Sequence, residues 1–146
     1  MTNKVDTIVT AIKNSLISAG ILAVYRYPEE LNLIGNRFPA AIIREESKDY
    51  IATSGQRYEY ELTLSITLIS DEIRERMKAM NDLEVIVFNA LFSTSTLGGL
   101  VLNINPVRVE IGELLTGNAI TSQAGFTEAQ SFRTITINCL VQDSRV

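Results

Sequence analysis

The chain has 146 residues, 46% of them hydrophobic and 21% charged, and this length is enough for one globular domain with its own core. The sequence contains no histidine, which excludes Ser-His-Asp triads, Cys-His nucleophiles and zinc sites built on imidazole. Thirteen basic and 17 acidic residues give a net charge of −4 without any basic cluster, so phosphate-based binding of nucleic acid is not expected. We therefore expect a single acidic domain over residues 1–146.

The first residues lack the charged and then apolar layout of a signal peptide, and no apolar stretch approaches the roughly 20 residues that span a bilayer. These features predict a protein that acts in the cytoplasm or in a particle assembled there, without a membrane partner.

Residues 4–19 carry apolar side chains at the three- and four-residue spacing of one helix face. Gly20 follows, and glycine readily takes the left-handed conformation that ends a helix. Residues 21–27 then predict a strand, and residues 28–39, with two prolines, a loop. Residues 40–45 predict a short strand that leads into a mixed charge cluster, and Gly55 marks a turn.

Residues 57–69 alternate strictly between apolar and polar side chains and predict a long strand. Thirteen residues span roughly 43 Å, whereas a domain of this size has a diameter near 38 Å. The strand is thus expected to bend at a bulge or to project as an arm, with Tyr58 and Tyr60 near its tip.

Ser70 is predicted to cap a second helix that runs to about residue 92 and is apolar on nearly every side in its second half. The remaining chain predicts strands at residues 100–104, 107–111 and 132–141, with Pro106 interrupting the first two. Residues 112–130 predict a loop that is flexible or becomes ordered on assembly, and a short irregular hairpin is the alternative. The order of elements predicts an α+β fold: a mainly antiparallel, mixed β-sheet with two α-helices packed on one face, plus long loops or a projecting β-hairpin.

The residues with reactive side chains do not form a catalytic constellation in the sequence. Cys139 lies in the apolar register of the last strand, so a buried structural thiol is favoured over a nucleophile. Glu59 and Glu61 share a strand face with threonines and a serine, which favours a solvated sheet face over a pair of catalytic carboxylates. We expect no enzyme activity, no cofactor and no metal site.

Taken in order, the segments resemble one known family. The resemblance rests on the opening helix TNKVDTIVTAIKNSLISAG, the strand AAIIREES, the long strand QRYEYELTLSITLIS, the helix MNDLEVIVFNAL with its Gly-Gly turn, and the closing strand RTITINCLVQD. The chain resembles the tail terminator proteins of long-tailed bacteriophages, which are also called tail-completion or head–tail joining proteins.

This resemblance implies a structural virion protein at the head-proximal end of the tail, assembled in the host cytoplasm. Such proteins are monomeric or weakly associated alone and form a homo-hexameric ring on the last ring of the major tail-tube protein. The ring ends tube polymerisation and offers its other face to the head-completion or connector protein. DNA passes through the lumen without specific binding, and an acidic chain suits this because like charges repel. The alternatives are another phage neck or tail structural protein, or a non-viral oligomerisation module.

Candidate contact residues follow from the sequence pattern rather than from the family. The predicted subunit contacts are the apolar half of the second helix and the tip of the long strand: Ile86, Phe88, Phe92, Tyr58 and Tyr60. Two predicted loops, over residues 44–49 and 112–130, are candidates for the face that meets the tube, the connector or the lumen. Their candidate residues are Arg44, Glu45, Glu46, Lys48, Asp49, Leu114, Leu115 and Phe126.

Overall fold

A computed structural model describes residues 4–33, 35, 37–55, 57–72, 74–94, 96–111 and 131–144. Two helices and five strands make up its main elements. In chain order they are α1 (Lys4–Ala19), β1 (Ala23–Arg26), β2 (Ala40–Ser54), β3 (Arg57–Ser70), α2 (Arg76–Phe92), β4 (Asn103–Ile111) and β5 (Ser131–Ser144), with a 3₁₀ turn at Leu31–Leu33.

The strands form one sheet in the order β1-β2-β3-β5-β4. β1 runs parallel to β2, and the other three neighbouring pairs are antiparallel, which confirms the predicted mixed, mainly antiparallel sheet. Both helices pack on one face, which we call the helix-covered face, because the apolar side chains of all five strands alternate towards it. The opposite, helix-free face carries only a small apolar cluster, formed by Ala23, Tyr25, Ala40, Ile42, Ile69 and Phe132.

The first helix forms where the apolar spacing predicts it. Ile8, Val9, Ile12 and Leu16 are buried against the sheet, and α1 ends at Ala19. Gly20 has a φ of +112°, and the amide nitrogen of Ile21 donates to the carbonyl oxygen of Leu16 over 3.1 Å. The chain thus leaves the helix through the left-handed glycine that the sequence predicts.

The second strand is far longer than predicted. β2 continues to Ser54 and pairs with β3 along its whole length, so the predicted loop over residues 44–49 is wrong. Those charged residues disfavour a strand locally, but β3 supplies an unbroken partner edge, and pairing with it overrides the weak local preference. The candidate contact residues of this segment therefore belong to strand β2 and not to a loop: Arg44, Glu45, Glu46, Lys48 and Asp49.

The second helix begins later than predicted. α2 starts at Arg76 with Glu75 as its N-cap residue, and Ser70 is the last residue of β3. The Ser70 hydroxyl does accept a hydrogen bond from the amide of Glu72 over 3.2 Å, so it caps a turn between strand and helix rather than the helix itself. Once started, α2 buries the predicted stripe of Met80, Leu83, Val87 and Leu91.

In the described part of the last third of the chain, the predicted strands are present as β4 and β5. Pro106 does not end a strand but lies in β4, beside a register shift that absorbs its missing amide donor. Leu97, Gly98 and Gly99 all have positive φ and form the turn before β4. Residues 112–130, with the candidate contacts Leu114, Leu115 and Phe126, lie outside the described part of the chain.

The long strand β3 has no bulge of its own and is paired on both sides along its length. It pairs with β5 over 14 residues without a register shift, and the bulges lie in β2 instead, near Glu46 and Ile51. β1 and β4 stop short of the far end of the sheet, so that end consists of β2, β3 and β5 alone.

Replacing Gly20 by Ala should lower the free energy of unfolding by about 1–2 kcal/mol, because a φ of +112° is strained for any residue with a Cβ. Gly35→Ala is the matched control, since Gly35 has open space for a Cβ and no left-handed φ. Its effect should stay within about 0.5 kcal/mol. Urea unfolding of both variants measures the difference, and equal losses would contradict this account of the α1 end.

Candidate functional site

A recess lies between the start of α1 and the far end of the sheet, on the helix-covered face. Its volume is about 540 Å³, and Tyr58, Tyr60 and Leu62 of β3 line it together with Val5 of α1. Polar side chains from three elements complete the lining: Lys4, Asp6, Glu45, Glu46, Ser47, Lys48 and Asp143. We call this the tyrosine recess.

A bulge in β2 decides which side chains face this recess. Glu45 pairs with Leu64 and Ser47 with Thr63, so Glu46 is an extra residue and the alternation of β2 reverses after it. Lys48 and Tyr50 therefore lie on the helix-covered face, beside Tyr58 and Tyr60. The ring centroids of Tyr50, Tyr58 and Tyr60 are 5.6–6.0 Å apart, and Lys48 Nζ lies 4.6 Å from the Tyr60 ring centroid.

The two tyrosines predicted as subunit contacts differ in accessibility. Tyr60 is fully buried, and its hydroxyl has no hydrogen-bond partner among the described residues. Burial raises the pKa of this hydroxyl above its ordinary value, and the nearby charge of Asp143 adds to the shift. Tyr58 is half-buried, and Tyr50 is 60% exposed. A partner would thus meet Tyr50 and Tyr58 first, with Tyr60 supporting them from below.

Arg26, at the end of β1, ties the first helix to the edge of the sheet. Its Nη2 contacts Asp6 Oδ1 over 2.6 Å and also binds Glu45 Oε1, and its Nε is 3.8 Å from Glu29. Burial works against the charge on Arg26, but the hydrogen bonds to Asp6 and Glu45 outweigh it and raise its pKa. The charges next to the tyrosine recess are therefore largely paired within the chain.

The helix-free face carries a shallow polar groove of about 370 Å³ across four strands. Glu46 accepts a hydrogen bond from Ser65 Oγ over 2.8 Å, and the hydroxyls of Thr67 and Thr134 are 3.2 Å apart. Arg44 and Glu110 flank these hydroxyls. Glu45 and Glu46 thus point to opposite faces, and Glu59 and Glu61 lie on the strand positions that share the helix-free face with Thr63 and Ser65.

Arg133 is a buried charge that the sequence pattern does not reveal. It lies on the helix-covered face of β5 and is 2% exposed. Its Nη1 donates to Asn81 Oδ1 over 2.6 Å and lies 3.6 Å from Glu84 Oε1, while Nε and Nη2 find no partner in the described part of the chain. The side chain thus links α2 to the strand that follows residues 112–130.

Two of the predicted contacts on α2, Phe88 and Phe92, form one apolar flank of that helix, which we call the α2 flank, whereas Ile86 lies near its opposite side. Phe88 and Phe92 stack edge to face with centroids 5.0 Å apart, and both are half-buried, as is Ile86. Val85 is 56% exposed on the same helix. Part of this flank is therefore available to a partner, whereas the two phenylalanines also hold α2 to the core.

The described residues offer no metal site of three or more His, Cys, Asp or Glu side chains. Cys139 is buried, and burial raises the pKa of its thiol to about 12. No helix in the described ranges is long and apolar enough to cross a membrane.

The sequence pattern missed three residues that organise these surfaces: Tyr50, Arg26 and Arg133. Tyr50 follows a bulge that changes its face, and Arg133 occupies an apolar register position without being apolar. The sequence does contain a signal for the burial of Arg133, because alternation along β5 places it on the same face as Ile135 and Ile137.

Glu84→Ala should lower the free energy of unfolding by about 1–3 kcal/mol, because it removes the carboxylate beside a buried guanidinium. Arg133→Met should change it by less than about 1 kcal/mol, since it removes the buried charge together with its two unpartnered nitrogens. The double variant should match Arg133→Met alone. Urea unfolding checks all three, and a larger loss for Arg133→Met than for Glu84→Ala would contradict the assignment.

Cys139 should react with a thiol reagent only after unfolding, because its thiol is buried and its pKa is raised to about 12. Labelling of the native protein at pH 8 should be at least 100-fold slower than labelling in urea. Equal rates would show that the β5 core opens freely.

No protein-family model matches the sequence, and no curated protein matches it. The fold, however, is similar to a chain of a solved "virion of native gene transfer agent (GTA) particle", with a TM-score of 0.60 and 12% sequence identity. The match covers 92% of this chain and 93% of that chain. At this identity, the likeness establishes a shared fold over nearly the full length of both chains.

Proposed function

We propose that this chain is a structural protein of a phage-like virion. The supporting observation is the likeness to a gene transfer agent virion chain, which extends over nearly the whole length of both chains. On this proposal the chain is not an enzyme and acts by binding other virion proteins.

The more specific proposal is a tail terminator. In this role the chain forms a hexameric ring on the end of the tail tube, ends tube polymerisation and provides the joining surface for the head connector. The order of elements that resembles the tail terminator family supports this role, and so does the net charge of −4, which disfavours tight binding of DNA in a lumen. The protein would then reside at the head-proximal end of the tail.

A ring requires two different, complementary surfaces on each subunit. Exposed apolar side chains do lie on both sides of this domain. Ile17, Leu22 and Leu33 lie on the side of α1 and β1, whereas Val107 and Ile111 lie on β4 at the other edge of the sheet, all 46–64% exposed. The α2 flank and the exposed tyrosines of the recess add further contact area.

Light scattering across a concentration series, with electron microscopy of the same fractions, tests this proposal. We expect rings with an open centre and a mass of about 97 kDa, six times the chain mass of 16.2 kDa, either alone or once tail tubes are added. A protein that stays monomeric or dimeric and does not bind tube ends would contradict the terminator role. Binding to connectors without any effect on tube length would instead favour another neck protein.

Val85→Asp should weaken ring formation at least tenfold, because it places a charge on the exposed part of the α2 flank. This variant is cleaner than a change at Phe88, whose ring also packs on the core. Asn14→Asp, which adds the same charge on the exposed side of α1, is the control. If Val85→Asp forms rings at the same protein concentration as the wild-type chain, the α2 flank is not part of the subunit interface.

A further inference from the structure

One half of β2 has an outer edge without a strand beside it. β1 pairs with only four of the 15 residues of β2, those at positions 40–43, and the amide of Tyr27 makes the last bond, to Ile43. From residue 44 to residue 54, β2 contacts β3 on one side and no strand of the described chain on the other. About every second residue of this segment thus points its backbone amide and carbonyl outward, with no described strand to pair with.

The opposite edge of the sheet has the same property. β4 pairs only with β5, so its outer edge has no described strand beside it over all nine of its residues. Val107 and Ile111 on this strand are 61% and 64% exposed. An edge of this length with exposed β-branched residues is a template for another strand.

The directions of the two edges suit each other. β2 and β5 run towards the far end of the sheet, and β4 runs back from it, because β4 is antiparallel to β5. When copies are related by rotation about an axis along the strands, as in a ring, β4 of one copy runs antiparallel to β2 of the next. The free part of β2 is also long enough to hold the nine residues of β4.

The charges on the two edges are complementary in this arrangement. Arg44 and Glu46 lie on the helix-free face of β2, with Nε and Oε1 3.6 Å apart. Arg108 and Glu110 lie on the same face of β4, 3.5 Å apart. Within one chain Arg108 lies level with Arg44, through Thr136 and Ser65. Antiparallel pairing with β4 shifted by two residues towards the far end, as a modest inclination of the strands to the ring axis produces, places Arg108 opposite Glu46 and Glu110 opposite Arg44.

We propose that β4 of one copy of this chain adds to the free half of β2 in the next copy, so that one sheet continues from subunit to subunit. This inference rests on the ring in the proposed function and names the contact that closes it. Main-chain hydrogen bonds supply the affinity, and the two Arg–Glu pairs fix the register. On assembly the pairs within each chain, Arg44–Glu46 and Arg108–Glu110, are replaced by pairs between chains. This replacement costs little free energy, because exposed ion pairs contribute little by themselves.

Disulfide formation between two variants, each with one new exposed cysteine besides the buried Cys139, tests this contact. Glu46→Cys and Arg108→Cys are mixed under the conditions in which the wild-type chain forms rings, and a mild oxidant is added. We expect a disulfide-linked dimer in the mixture and none in either variant alone. Glu61→Cys mixed with Arg108→Cys is the control, because Glu61 is exposed on the central strand β3 and should not be linked.

The outcomes separate this inference from the proposed function. If rings form but the mixture of Glu46→Cys and Arg108→Cys gives no more disulfide-linked dimer than the control mixture, the edge contact is refuted and the proposed ring is not. The absence of rings under every condition would refute both. A link that forms in open filaments rather than rings would support the edge contact and refute the terminator role. If adding another virion protein prevented the disulfide from forming, that protein and not a second copy of this chain would be assigned to the free edge of β2.

A second variant tests the same edge without cysteines. Val107→Lys combined with Ile111→Lys should raise the concentration needed for assembly at least tenfold, because lysines on an edge strand oppose strand addition. Both side chains are exposed, so the circular dichroism and the urea midpoint should stay unchanged. Met77→Lys is the matched control, because Met77 is 56% exposed on α2 and lies on neither strand edge. Assembly of the double variant at the wild-type concentration would overturn the proposal.

Discussion

The structure depends on one constraint: a five-stranded sheet whose apolar side chains must be covered on one face by only two helices. Because side chains alternate along a strand, every residue of β3 and β5 is committed to either the helices or the opposite face. The helix-free face is left largely polar, with hydroxyls paired across strands. α1 packs against β1 and α2 against β3, β5 and β4, so what is left for contacts with other molecules is the outer backbone edge of β2 and of β4 and the far end of the sheet.

The bulge at Glu46 links the charged part of β2 to both faces of this sheet. Before it, Arg44 lies on the helix-free face, and after it Lys48 and Tyr50 lie on the helix-covered face. If Glu46 paired regularly with β3 and made no bulge, Tyr50 and Lys48 would lie on the helix-free face, away from the ring of Tyr60. The regular alternation that leads into the bulge gives the neighbouring glutamates different partners, Arg26 for Glu45 and Ser65 for Glu46.

These features favour a protein that works by assembly. In the described part of the chain, the candidate surfaces are exposed apolar and aromatic side chains, two strand edges without a neighbouring strand, and a recess over a buried hydroxyl that has no hydrogen-bond partner there. Open edges carry a risk of unwanted association, and β2 and β4 both contain bulges and charged side chains that limit it. A specific partner with matching direction and charge can still use such edges.

The sequence by itself determined the elements whose pattern is strong and local: α1 with its glycine end, the strict alternation of β3, the buried stripe of α2 and the position of Cys139. These features follow from periods of 3.6 and 2, which neighbouring residues alone define. Only the tertiary structure decided the length of β2, the late start of α2, the burial of Arg133 and the face on which Tyr50 lies. Each of these depends on a partner distant in sequence, because a strand edge, a buried charge and a bulge are stabilised by residues that local patterns do not specify.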